Sequence, residues 1–141
     1  NGLFKFAFVR NPWDLQVSSY HHIKRERPNL VHEGESFSDF LRRKLEVTRP
    51  WQYHLDTSIT PQSDYLIDLR GRQIVDFVGR YESLQADFDT CCQRIGIPTI
   101  ALPHRRQASD RAQYRQYYDQ ETQALVAERF AADIEAFGYV F

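Results

Sequence analysis

Arg10 and Ser18, near the start of the 141-residue chain, have the types and spacing to bind an anion. The planar guanidinium fork of arginine matches the oxygens of a phosphate, and a serine hydroxyl adds a short donor. Ser18 falls seven residues after Asn11, two turns along the same face of a helix that begins there. The arginine side chain and the hydroxyl are therefore expected to converge on one phosphate-sized group beside that helix. The same residues fit a blander reading, in which Arg10 pairs with a surface carboxylate and Ser18 faces solvent, and spacing by itself leaves both open.

The elements that must position these residues are written in FKFAFVRNPWDLQVSSYHH, residues 4–22. Phe4, Phe6 and Phe8 fall on one face of a period-2 segment and Lys5, Ala7 and Val9 on the other, the pattern of a half-buried to buried strand. Asn11 can accept hydrogen bonds from the free amides of the next turn, Pro12 suits the first helical position, and Asp14 sets negative charge near the positive helix end. Trp13, Val17 and Tyr20 recur at i, i+4 and i+7, one core-facing stripe. Arg10 thus sits just outside the carboxyl end of a strand, where open α/β sheets bind their ligands.

With 18 Lys and Arg against 19 Asp and Glu, the chain has no global field to recruit nucleic acid or an anionic membrane, so an anion site must be built locally. The two cysteines, Cys91 and Cys92, are adjacent and cannot staple distant segments, which argues against a disulfide framework or a zinc site. No apolar run reaches the length of a membrane span and the start lacks a signal-peptide pattern, so the chain reads as soluble. One domain, 1–141, is expected, and the sequence specifies no oligomeric state.

Further elements follow in order. Lys24 to Glu35 reads as an exposed connection, and Ser36 with Asp39 as a capping box for a helix carrying Phe37, Phe40, Leu41 and Leu45. Residues 49–63 read as a loop crossing a face of the domain. Tyr65–Leu69 and Gln73–Val78 read as two short strands around the turn Arg70-Gly71-Arg72. Leu84, Phe88, Cys91, Cys92 and Ile95 keep helical spacing until Gly96 and Pro98, which makes the cysteines core residues rather than nucleophiles. The loop 99–111 clusters His104, Arg105, Arg106 and Arg111, the most basic stretch of the chain, and as a bare loop it is simply solvated. Asp119 can cap a final helix whose buried face holds Leu125, Val126, Phe130, Ile134 and Phe137.

With these elements in place, FVRNPWDLQVSSY resembles the 3′-phosphate-binding segment of sulfotransferases that use 3′-phosphoadenosine 5′-phosphosulfate (PAPS), where a strand, Arg-Asn/Asp-Pro and a serine eight residues after the arginine recur together. PQSDYL, VGRYESLQADF and YRQYYDQETQALVAERFAADIEAFGYVF are similar to segments of the carbohydrate-sulfotransferase branch. The resemblance implies an α/β domain, part of a P-loop-type sulfotransferase fold with a parallel sheet core flanked by helices. It implies transfer of a sulfuryl group from PAPS to a hydroxyl acceptor, a carbohydrate, without a metal. On the same ground Arg10 and Ser18 would hold the 3′-phosphate, Tyr81 would lie against adenine, and Arg105 and Arg106 would be secondary phosphate or acceptor contacts.

This chain also departs from the family pattern. Leu15 stands where the family usually has another arginine, and Gly2, Gly34, Gly71, Gly79, Gly96 and Gly138 are isolated, so no glycine-rich loop cradles the phosphosulfate. The general base of relatives normally precedes this region, and position assigns that role to none of His21, His22, His32, His54 and His104; no catalytic residue is named. The chain has no methionine and opens on a core strand. The 141 residues are therefore expected to be an incomplete domain carrying the 3′-phosphate half of the site, inactive alone, with upstream sequence supplying a parallel neighbour strand, the loop and the base. A cytoplasmic location is expected, or the Golgi lumen if a membrane anchor lies upstream. The alternatives from other classes are a non-catalytic nucleotide-binding or interaction module and a fragment of a P-loop kinase.

Overall fold

The computed structural model describes residues 2–46, 57–103 and 113–141 and divides into two compact units. The first comprises Asn1–Arg10 and Ser63–Asp110, the second Asn11–Gln62 and Arg111–Phe141.

In the first unit, strand β1 (Phe6–Val9) lies parallel to strand β2 (Phe77–Arg80), with Phe6 opposite Phe77 and Val9 opposite Arg80. Val9 is buried, whereas Phe6 remains 39% exposed, so the phenylalanine face of β1 is only partly covered. The Phe4 and Phe6 rings stack at 6.0 Å, and the Arg94 guanidinium lies over Phe4 and Phe77 at 5.7 and 5.1 Å. Arg94 belongs to a helix that follows β2 and continues the unit, numbered α3 in chain order (Leu84–Ile95). It ends as expected at Gly96, which adopts φ 82°, a left-handed conformation that a side chain disfavours. Cys91 and Cys92 are fully buried on this helix, and burial, with the Cys92 and Asp87 charges adding to it, pushes the Cys91 thiol up.

The strand pair expected at Tyr65–Leu69 and Gln73–Val78 does not form. A single-turn helix occupies Gln62–Leu66, one isolated antiparallel bridge joins Ile67 to Gln73, and the true strand starts only at Phe77 and runs through Gly79 and Arg80. Asp68 explains the shortness of the bridge: its carboxylate accepts the backbone N–H groups of Arg70 and Arg72 at 2.8 and 3.0 Å and the Arg72 Nε–H at 2.9 Å, drawing the chain into a tight turn. Tyr65, Ile67, Leu69 and Ile74 stay exposed, so their alternation has no apolar surface to pack on and no ladder propagates.

In the second unit, α1 spans Pro12–Glu26 and α2 spans Phe37–Leu45. Asn11 Oδ1 accepts from Trp13 N–H and Asp14 N–H, and Ser36 Oγ accepts from Asp39 N–H, so both starts are capped by the expected residues. Trp13, Val17 and Tyr20 of α1 and Phe37, Phe40 and Leu41 of α2 are buried, and Tyr20 packs against both Phe37 and Phe40. The connection expected from Lys24 is shorter than that, because α1 continues to Glu26 and Pro28 opens a 3-10 turn to Leu30.

The final helix is two. Asp119 and Thr122 form a capping box for α4 (Gln120–Arg129), and Phe130, at φ −113° and ψ 28°, breaks the path before α5 (Ala131–Phe137). A tertiary contact accompanies this break: the fully buried Asp133 carboxylate accepts the Gln62 backbone N–H at 2.8 Å and its Nε2–H at 3.3 Å. After α5, Gly138 turns at φ 65° and the chain returns to the start of α1, where Asn11 Nδ2 donates to the Val140 carbonyl at 3.0 Å. Phe141 meets Trp13, Tyr114 and Tyr118 edge-on. Among the described residues, no helix is long and apolar enough to cross a membrane.

Candidate functional site

The parallel register of the first unit builds one end of the candidate site. Val9 stands opposite Arg80, so the next residues at the carboxyl ends of the two strands are Arg10 and Tyr81. Their side chains meet: the Arg10 Cζ lies 4.0 Å from the Tyr81 ring centroid. This is a cation–π contact within the range where the ring quadrupole attracts a guanidinium. Arg10 is half-buried and Tyr81 is 46% exposed.

Two local features hold the Tyr81 side of the pair. Gly79 lies opposite Phe8, and a Cβ there would come within 2.5 Å of Phe8 Cε1; only glycine lets the ring cross the strand. Asp87 Oδ2 then accepts the Arg80 backbone N–H at 2.6 Å and the Ser83 hydroxyl at 2.8 Å, bracketing the Tyr81–Ser83 turn. An exposed tyrosine ring can stack on a heteroaromatic base.

Arg10 and Tyr81 are the two predicted site residues that the structure brings together. Ser18 belongs to the second unit, half-buried on α1. Arg105, Arg106 and the rest of the basic loop lie outside the described residues, as do His54 and His104. His21 is half-buried and shares a hydrogen bond of 2.9 Å with the Tyr117 hydroxyl, with its ring edge-on to Tyr117.

Sequence reasoning missed Gly79, Asp87 and Lys44. A glycine inside VGRYES was the available signal for the first, since glycine in a strand marks close approach. Asp87, seven residues after Arg80, carried no signal. Nor did Lys44, a lysine on an amphipathic helix that the structure buries to 2% exposure among Gln16, Ser19 and Ser58.

A pair of parallel strands with Arg10 and Tyr81 next after their carboxyl ends, together with capped helices, makes this an α/β chain. The family model described as the sulfotransferase family matches residues 1–140, and the chain belongs to that family. It is 36% identical over 99 residues to an uncharacterized protein of Archaeoglobus fulgidus, covering 70% of this chain and 72% of that one. It is also 28% identical over 160 aligned positions to human carbohydrate sulfotransferase 9, covering 95% of this chain and 33% of that one. The chain thus spans about a third of the length of the human relative. No solved structure matches it.

Proposed function

We propose that this domain binds the 3′-phosphoadenosine moiety of PAPS and forms part of an enzyme that passes its sulfuryl group to a carbohydrate hydroxyl. Arg10 and Ser18 hold the 3′-phosphate in this reading, Tyr81 lies against adenine, and Arg105 and Arg106 are secondary phosphate or acceptor contacts. The observation that carries it is the stacked Arg10–Tyr81 pair at the carboxyl ends of two parallel strands, inside the motif that the family resemblance marks. A charge-assisted arginine contact joined by a hydroxyl binds a dianion without a basic protein, in keeping with the formal charge of −1. The carbohydrate acceptor rests on the likeness to carbohydrate sulfotransferase 9. Sulfuryl transfer in line between donor and acceptor oxygens needs positioned cations and aligned reactants more than covalent help from the protein. In this reading the chain takes the nucleotide side of that task.

Binding of adenosine 3′,5′-bisphosphate tests the reading. At about a hundred times its Kd the nucleotide stabilises a competent domain by about 2.7 kcal/mol, and Arg10→Ala abolishes most of that gain while the unliganded melting temperature stays nearly unchanged. Equal ligand-induced shifts in wild type and variant would remove Arg10 from the phosphate site. A protein that binds the nucleotide but sulfates no glycan would favour the non-catalytic module.

A further inference from the structure

We propose that the chain associates with copies of itself head to tail, the Asp68–Arg72 turn of one copy seating in the groove between α2 and α4 of the next. The turn is a braced knob. Asp68 N–H donates to the Arg72 carbonyl at 2.8 Å and Gly71 N–H to the Asp68 carbonyl at 2.9 Å, while the Asp68 carboxylate holds the amides of Arg70 and Arg72 and the Arg72 guanidinium. At its tip Leu69 is 108% exposed, as open as in an extended peptide. Ile67 and Ile74, on the two arms of the turn, are each 42% exposed. Single apolar side chains at a surface are ordinary, but three on one cross-braced turn form an anchor that costs little to immobilise. Arg70 is exposed beside Leu69, and among the described residues its guanidinium has no ion-pair partner, whereas Arg72 is paired with Asp68.

The groove is the complement. It has a volume of about 760 Å³, and its apolar lining comes from Leu45 on α2 and Ala124 and Leu125 on α4. Its rim carries surplus negative charge. Arg42 bridges the helices, meeting Glu121 at 3.0 Å, Asp119 at 3.4 Å and Asp39 at 3.6 Å, so one guanidinium answers three carboxylates. Arg43 also lines the groove, and Glu35 engages its guanidinium. Glu128 adds a further carboxylate, exposed and, among the described residues, without an ion-pair partner.

Knob and groove match in kind: a leucine for Leu45 and Leu125, and an arginine for an acidic rim. The two surfaces differ, so the contact is heterologous and propagates to a ring or an open filament instead of ending at a two-fold dimer. Its small size places the association in the weak range that depends on protein concentration.

Sedimentation velocity over a series of protein concentrations tests this. Wild type is expected to gain mass as concentration rises. Leu69→Asp weakens the association by about tenfold to a hundredfold, the loss of one buried leucine. Arg70→Glu or Glu128→Arg weakens it by about fivefold, and both reversals in one chain restore it. The decisive arm is mixing. Leu69→Asp keeps the groove, whereas Ala124→Arg blocks the groove and keeps the turn. Each alone is expected to be monomeric, and an equimolar mixture to form a one-to-one dimer and nothing larger. All four substituted positions are exposed, and a wild-type circular dichroism spectrum verifies the fold of each variant. A wild type that is monomeric at every concentration, or a mixture that stays monomeric, overturns the proposal. If wild type stays monomeric yet binds an added Leu-Arg-Gly-Arg peptide that Ala124→Arg does not bind, self-association is overturned in favour of a basic segment of another protein.

Discussion

Replacing Gly79 by alanine tests how the parallel strand pair presents the candidate site. The new Cβ would lie 2.5 and 2.8 Å from Phe8 Cε1 and Cδ1 and 3.1 Å from Asp87 Cβ, whereas carbon atoms in contact prefer about 3.5–4.0 Å. Phe8 must therefore give way by roughly 1 Å against its edge-on neighbour Phe6, whose centroid is 6.1 Å away. Overpacking of this kind costs about 1–3 kcal/mol, from which about 0.5–1 kcal/mol is recovered because alanine restricts the unfolded chain more than glycine does. The net expectation is a loss of about 1–2 kcal/mol, read as a lower urea midpoint with an unchanged denaturant slope. Phe8→Ala removes the obstructing ring, so in that background Gly79→Ala should be neutral or slightly stabilising, a coupling that a double-mutant cycle measures directly. A Gly79→Ala variant as stable as wild type, or one that costs the same with and without the Phe8 ring, would refute the close approach and with it the account of how β2 delivers Tyr81.

Two further outcomes follow from buried groups. Burial raises the Glu35 carboxyl, but hydrogen bonds from the Arg43 guanidinium and the His32 backbone N–H outweigh it and hold the pKa below its ordinary 4.5. A folded value below the unfolded one means that the unfolded chain binds more protons; the contribution is complete above about pH 4.5 and is lost as pH falls through the folded value. Urea unfolding across acid pH should accordingly show a shallower fall in Glu35→Gln than in wild type, and identical slopes would dismiss Glu35 as a source of acid sensitivity. Cys91 and Cys92, at 0% and 1% exposure with the Cys91 thiol pushed up, should resist iodoacetamide in the native protein and react on unfolding. Rapid native labelling would show that α3 opens far more readily than its packing implies.

The sequence by itself determined features whose causes lie within a turn or two of chain. Asn11, Ser36 and Asp119 start helices because each side chain reaches amides two or three residues on. Gly96 stops α3 because its own φ is left-handed. The stripe Trp13, Val17, Tyr20 is buried because α-helical periodicity puts it on one face. The same locality located Arg10 after a strand and carried the family resemblance. What only the tertiary structure decided depends on partners far away in the chain. Whether the pairing stretch is Gln73–Val78 or Phe77–Arg80 is settled by which residues line up with Phe6–Val9, and Gly79 takes its place because the Phe8 ring needs the space. The break at Phe130 goes with a buried Asp133 carboxylate held by Gln62, a partner no local pattern discloses. Lys44 looks in sequence like any lysine on an amphipathic helix, and its burial follows from oxygens on α1 and at Ser58 that converge on it. The stacking of Arg10 on Tyr81 is likewise a consequence of register, because a parallel pair sets side by side two residues whose separation in sequence bears no trace of their meeting.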